Sequence, residues 1–218
     1  MSQHFSSSNG SAIVTNLVSV IVANREYLSE VDGAIGDGDH GINMAKGFAR
    51  CGKSLEGRQL SLAEALDELT LALMEGIGGS MGPLYGSLFI GMADEVRGRE
   101  EIDAANFARL LRGGLTSLQD ITDAGVGDKC LMDTLIPSVE AFEQAEAEGA
   151  SFSEALNRMK IAASRGRDST RDLVAKIGRA SRLGERSLGV LDAGAVSCCL
   201  ILTNLADSVE AQLQGLQG

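Results

Sequence analysis

Three acidic side chains, Asp32, Asp37 and Asp39, fall within eight residues on the segment Asp32-Gly-Ala-Ile-Gly-Asp37-Gly-Asp39-His40-Gly41-Ile42-Asn43-Met44. Separations of five and then two residues do not place three carboxylates on one helix face, where neighbours lie three or four apart. A loop can converge them, and the interspersed glycines give the backbone that freedom. At roughly 5 Å and an effective dielectric near 20, each converged pair repels by about 3 kcal/mol. A hard divalent cation removes that cost, and an all-oxygen donor set suits Mg²⁺ or Ca²⁺ rather than zinc. An EF-hand reading fails: counted from Asp37, position five is Gly41 and position six is Ile42, where an acid or amide and then a glycine are required. Mg²⁺ usually takes one or two carboxylates and completes its octahedron with water and substrate phosphate. The expectation is a metal site completed by a phosphorylated ligand. The alternative is a solvated Asp/Gly turn without an ion.

The chain that must position these groups has 218 residues, 44% hydrophobic and 22% charged. That composition predicts a globular protein with one large domain over residues 11–218, preceded by a flexible Ser-rich tail over residues 1–10. A net charge of -11 argues against non-specific nucleic-acid binding. It does not forbid a phosphate ligand, because a metal reverses the local sign. The four cysteines, Cys51, Cys130, Cys198 and Cys199, have no C-x-x-C spacing. With no signal peptide, they read as reduced and buried in a cytoplasmic protein. No apolar run predicts a membrane span; the stretch from Ala195 to Leu205 is short and carries Ser197, Thr203 and Asn204.

Apolar residues Ile13, Leu17, Val20, Ile21 and Leu28 recur at helical spacing and stop at the Asp32 loop. A second helix is expected from Ile42 to Arg50. Ser61-Leu-Ala-Glu64 is a capping box opening a third, through about Ile77. Pro83 suits the first turn of a fourth, through Val96. Further helices are expected from Asp103, from the break at 125–127 to about Glu146, and from the capping box at Ser151 toward Ile177. A connector rich in glycine and arginine, 178–189, precedes a last helix from about Ala193 to Leu213. Eight helices with short connections and no convincing strand predict an all-α, antiparallel up-and-down bundle or barrel. In such an array, four glycine-rich connections, at 32–41, 78–83, 125–128 and 178–194, share one end. That grouping describes a ligand mouth.

Each mouth segment has a bland and a chemical reading. Gly78-Gly79-Ser80-Met81-Gly82-Pro83 leads into a helix N-terminus, where unpaired amides and the dipole favour anions; a tight helix–helix turn is the plain alternative. It is neither a Walker A loop nor a Rossmann fingerprint. His40 either touches a phosphate or plays a structural part. Asp128 reads first as an N-cap, and Lys129 as a solvated lysine or a phosphate contact. The arginines at 179, 182 and 186 read either as a lid over an anion or as a surface loop paired through Glu185.

Together these segments resemble the L subunit of dihydroxyacetone kinase, the nucleotide-binding DhaL family. The resemblance rests on Gly36-Asp37-Gly38-Asp39-His40-Gly41-Ile42-Asn43-Met44, on Gly78-Gly79-Ser80-Met81-Gly82-Pro83-Leu84-Tyr85-Gly86, on Gly127-Asp128-Lys129 through Asp133, and on Gly178-Arg179-Ala180-Ser181 through Gly189. It implies an eight-helix antiparallel barrel holding ADP or ATP with two Mg²⁺ ions at one end. By position, Asp32, Asp37 and Asp39 match the metal ligands. His40, Gly41, Ile42, Asn43, Ser80 and Met81 match phosphate-side contacts. Leu131, Arg179, Asp192, Ala193 and Gly194 match nucleotide-contacting positions. The implied activity is phosphoryl transfer to dihydroxyacetone, or a related short ketose, held on a histidine of a separate K subunit. A phosphocarrier protein that recharges bound ADP is the alternative donor, and a homodimer is an allowed assembly. Two readings of other kinds are a regulatory ADP-binding module and a metal-stabilised scaffold without nucleotide. The chain departs from the commonest family form at Ser80-Met81, where Ala-Ser stands, at Cys130-Leu131, where Thr-Met stands, and at Ala193, often proline.

Overall fold

Ser61 opens its helix as the capping box predicts. Its Oγ accepts the Glu64 N–H at 3.3 Å, and Glu64 Oε2 accepts the Ser61 N–H at 2.9 Å. The computed structural model describes residues 3–215. Its helices are α1 (Gly10–Ala23), α2 (Arg25–Gly33), α3 (His40–Leu55), α4 (Leu62–Gly76), α5 (Met81–Val96), α6 (Ala104–Gln119), α7 (Met132–Ala147), α8 (Phe152–Ser169) and α9 (Ala193–Gly215). Eight positions in an up-and-down ring are filled, because α1 and α2 together occupy the first. Each helix packs on its neighbour in sequence, and α9 closes the ring against α1. The buried side chains of all these helices form one core.

Several boundaries differ from expectation for identifiable reasons. The expected first helix breaks at Asn24, whose Nδ2 donates back to the Val20 carbonyl at 2.8 Å and competes with the helix ladder. The helix α3 extends past Arg50, because Met44, Phe48, Cys51 and Leu55 continue one buried stripe. The helix α8 ends at Ser169, well short of Ile177. The capping box at Ser151 is half made: its Oγ accepts the Glu154 N–H, while Glu154 pairs with Arg158.

The N-terminal segment is the main correction. Residues 1 and 2 lie outside the described residues, but His4–Ser6 is a strand, β1. It pairs antiparallel with β2 (Glu101–Asp103), placing Phe5 opposite Ile102. Phe5 is fully buried among Phe107 and Phe152, which in turn meet Phe142. A flexible tail and a strandless fold were expected; burial of a large aromatic outweighs the polar composition around it. This aromatic plug seals the end of the barrel opposite the four glycine-rich connections. Among the described residues no helix is long and apolar enough to cross a membrane. All four cysteines are free; Cys51, Cys198 and Cys199 are buried and Cys130 is half-buried.

Candidate metal and nucleotide site

The loop between α2 and α3 brings Asp32, Asp37 and Asp39 together. One carboxylate oxygen from each lies within 4.8 Å of the other two. The loop turns back at Gly38, whose φ of 76° lies in the region open to glycine. Beneath it, α2 and α3 touch at Gly41, where a Cβ would stand 1.9 Å from the Arg25 carbonyl oxygen. Only glycine allows that approach, so Gly41 sets the height of the loop on the barrel. The carboxylates are exposed or half-buried, and Asp32 also accepts the His40 N–H at 3.3 Å. An oxygen-only trio that is open to one side fits Mg²⁺ and leaves room for water and phosphate.

Arg179 is the cation that the structure places against this trio. It arrives on the connector after α8, at the start of 3₁₀ turns over Arg179–Ser187 that follow Gly178 and are broken by a kink at Gly184. Its Nη1 contacts Asp37 and stands 3.8 Å from Asp39. Among the described residues Glu185 makes no ion pair, so the surface loop paired through Glu185 is not what forms. The arginine points at the mouth.

The histidine's ring is turned into the barrel. His40 is buried, and its Nε2 lies 2.9 Å from Ser197 Oγ on α9. Ser197 Oγ lies 2.6 Å from the Tyr85 hydroxyl on α5, and both hydroxyls lie within 3.3 Å of the Gly194 carbonyl. Burial pushes the His40 pKa down to about 4, with Asp32 pulling the other way. The imidazole is therefore neutral near pH 7, and its side chain is committed to the barrel interior. Ile42 is exposed and Asn43 half-buried on the outer turn of α3.

Ser80 and Met81 open α5. Ser80 is exposed and makes no side-chain cap, so the first amides of that helix have no intrahelical partner. The turn before it passes through Gly79 at φ 72°. Neither residue contacts the carboxylates; Tyr85, one turn along α5, ties this segment to Gly194 and Ser197. Met81 packs half-buried on the core, and buried Leu131 lies against Gly194, where a Cβ would stand 3.4 Å from the Leu131 nitrogen. Ala193 is buried. Asp192 caps α9 by accepting the Ala195 N–H at 2.8 Å. Burial raises its carboxyl to about 6; the nearby Asp133 adds to the rise, while the cap and Lys129 oppose it.

Two assignments around residues 125–131 are corrected. Asp128 is not an N-cap; it accepts the Gly125 N–H and pairs with Lys176 at 3.2 Å. Helix α7 begins only at Met132, because buried Asp133 accepts the N–H groups of Gly127 and Cys130 at 2.6 and 2.7 Å and folds the loop around itself. Lys129 is not solvated. It is 2% exposed, and its Nζ donates to the carbonyls of Thr170 and Val190. The burial of Lys129 does not stand out by sequence; Asp133, six residues after Gly127, closes the segment matched to the family, but its role as loop organiser is not legible there. A cavity of about 620 Å³ opens between α7 and α8, lined by Val126, Asp133, Pro137 and Ile161.

A barrel of antiparallel helices with clustered carboxylates at its glycine-rich end defines a class, and comparison with known proteins agrees. The chain belongs to the family of the DAK2 domain, whose model matches residues 34–207. It is 33% identical over 201 residues to the ADP-binding subunit DhaL of PEP-dependent dihydroxyacetone kinase 2 from Listeria innocua, covering 91% of this chain and 93% of the relative. It is 32% identical over 194 residues to the corresponding subunit from Escherichia coli K12, covering 88% and 92%. The fold also matches the crystal structure of the dihydroxyacetone kinase of C. freundii, with a TM-score of 0.70 at 24% identity; 91% of this chain aligns with 34% of that one. The same kinase in complex with AMP-PNP and Mg²⁺ aligns with a TM-score of 0.66 at 21% identity, over 95% of this chain and 35% of that one. The chain thus spans about a third of the crystallised kinase.

Proposed function

We propose that this chain is the nucleotide-binding subunit of a dihydroxyacetone or short-ketose kinase, active with a separate K-type subunit that holds the sugar. The observation that carries this reading is the convergence of Asp32, Asp37 and Asp39 within 4.8 Å at the mouth, opposite Arg179. In this reading the three aspartates would hold two Mg²⁺ ions, and Leu131 and Met81 would be among the residues that hold ADP or ATP. Bound Mg²⁺ supplies charge neutralisation on the phosphoryl group. The chain's own residues do the positioning. The α5 amides at Ser80 and Met81 would receive the phosphates, with Arg179 as a cationic partner at the mouth. Neutral His40 keeps the carboxylate loop seated on α9. Asp192, Ala193 and Gly194 border the base side, and Gly41, Ile42 and Asn43 border the phosphates. No catalytic side chain is assigned in this chain, and the transfer is read as metal-assisted.

The relatives' names favour ADP as a resident coenzyme recharged by a phosphocarrier protein, since those from Listeria innocua and Escherichia coli are PEP-dependent and one from Lactococcus lactis is PTS-dependent. A cytoplasmic setting and a homodimeric assembly accompany this reading. Mixing the chain with a K-type subunit, dihydroxyacetone and either ATP or a phosphorylated carrier tests it. Turnover with the carrier and retention of ADP through dialysis are expected. Binding of ADP without turnover under either donor overturns the kinase reading in favour of a regulatory module.

A further inference from the structure

Lys129 is a buried cation that the proposed reaction does not use. It is 2% exposed, and its backbone sits at φ 62°, a left-handed conformation costly for any residue but glycine. Such a conformation persists where the surroundings over-determine it, and here the side chain supplies the reason. Its Nζ donates to the Thr170 carbonyl at 2.5 Å and to the Val190 carbonyl at 2.7 Å. These carbonyls are the two feet of the connector that carries Arg179. The feet are stitched elsewhere as well: the Gly189 N–H donates to Arg171 O at 2.8 Å, and the Asp192 N–H donates to Thr170 Oγ1 at 3.1 Å. Thr170 is fully buried. Burial lowers the Lys129 pKa, and Asp192, Asp133 and Asp172 oppose that shift without cancelling it. A lysine suits the task, because three donors on a long stem can reach two carbonyls from a third segment.

We propose that Lys129 is a positioning residue: a clasp that holds both feet of the 171–189 connector against the 125–131 loop and so presents Arg179 to Asp37, Asp39 and the nucleotide. This inference rests on the nucleotide reading above for its ligand, but not for the clasp itself. The clasp is independent of metal, and it adds to a second tie between the same segments, in which Lys176 pairs with the Asp128 carboxylate and donates its N–H to the Asp128 carbonyl.

The test uses the full chain with Lys129→Met and Lys129→Gly; the glycine variant deletes the ammonium while relieving the left-handed backbone. Trypsin without nucleotide reads the connector, which offers Arg171, Lys176, Arg179, Arg182 and Arg186 as cleavage sites. Both variants should keep the helical circular dichroism of wild type and lose the connector roughly tenfold faster, as expected when local opening is eased. Calorimetry with ADP and Mg²⁺ should show Kd rising roughly tenfold, and adding Arg179→Ala should cost little more, because both changes disable one unit. Wild-type cleavage in folded variants overturns the clasp. Losses that simply add to those of Arg179→Ala overturn the link to Arg179. If wild type itself binds no ADP with Mg²⁺, the nucleotide reading falls, and the cleavage comparison still decides the clasp.

Discussion

Ser197 Oγ on α9 lies 2.9 Å from His40 Nε2 on α3, inside the barrel and directly under the carboxylate loop. The same oxygen meets the Tyr85 hydroxyl from α5, so one hydroxyl joins three helices whose ends form the mouth. Replacing Ser197 by alanine leaves a buried imidazole and a buried phenol short of a partner. A loss of about 2 kcal/mol and a fall of roughly 6 °C in Tm are expected by calorimetry.

The paired variant Asp37→Asn with Asp39→Asn keeps the loop's shape and removes two charges. Titration with ADP and Mg²⁺ should show roughly a hundredfold weaker binding, about 3 kcal/mol. An affinity equal to wild type would remove the carboxylate cluster from the site.

Much of this site is legible from local spacing, because a loop ligand set and a helix cap are both written in neighbouring residues. Ser61 with Glu64, Asp103 with Asn106, and the aspartates of 32–39 all act within a few positions of one another. Other features depend on partners far along the chain. Phe5 meets Ile102 across nearly a hundred residues, and a three-residue strand carries too little pattern to announce its pairing. Lys129 is a polar residue whose fate is set by carbonyls about 40 and 60 positions away, and lysine is ordinarily solvated. The break at Asn24 is local, but an apolar stripe that continues through it conceals it.

Gly41→Ala would force a methyl group into the Arg25 carbonyl and the Ser29 side chain. Separation of α2 from α3 should cost about 3 kcal/mol. Chemical denaturation should show that loss, together with weaker Mg²⁺-dependent ADP binding as the loop above is lifted.

Asp192 makes stability depend on pH. Its carboxyl sits at about 6 when folded, above its ordinary value, so the folded state holds the proton more tightly. Both states are protonated below about pH 4, and between there and about pH 6 the folded chain binds more protons than the unfolded one. Stability from this group therefore falls as pH rises through that window and stays lower above it. Asp192→Asn retains an oxygen for the Ala195 N–H but carries no charge. It should stabilise the chain by about 2 kcal/mol at pH 7.5 and by almost nothing at pH 4, which thermal melts at the two pH values can compare.

The far pole of the barrel has a practical consequence. Phe5 is locked there beside β2, and Asn9 Nδ2 donates to Gln212 Oε1 at 3.2 Å, so the beginning and the close of the described chain sit side by side. The final helix of 23 residues runs between that pole and the mouth, a length of roughly 35 Å at 1.5 Å per residue. A surface tether or a dye attached at exposed Ser8 or Gln214 therefore leaves the glycine-rich opening unobstructed, and protein immobilised there should take up nucleotide as freely as protein in solution.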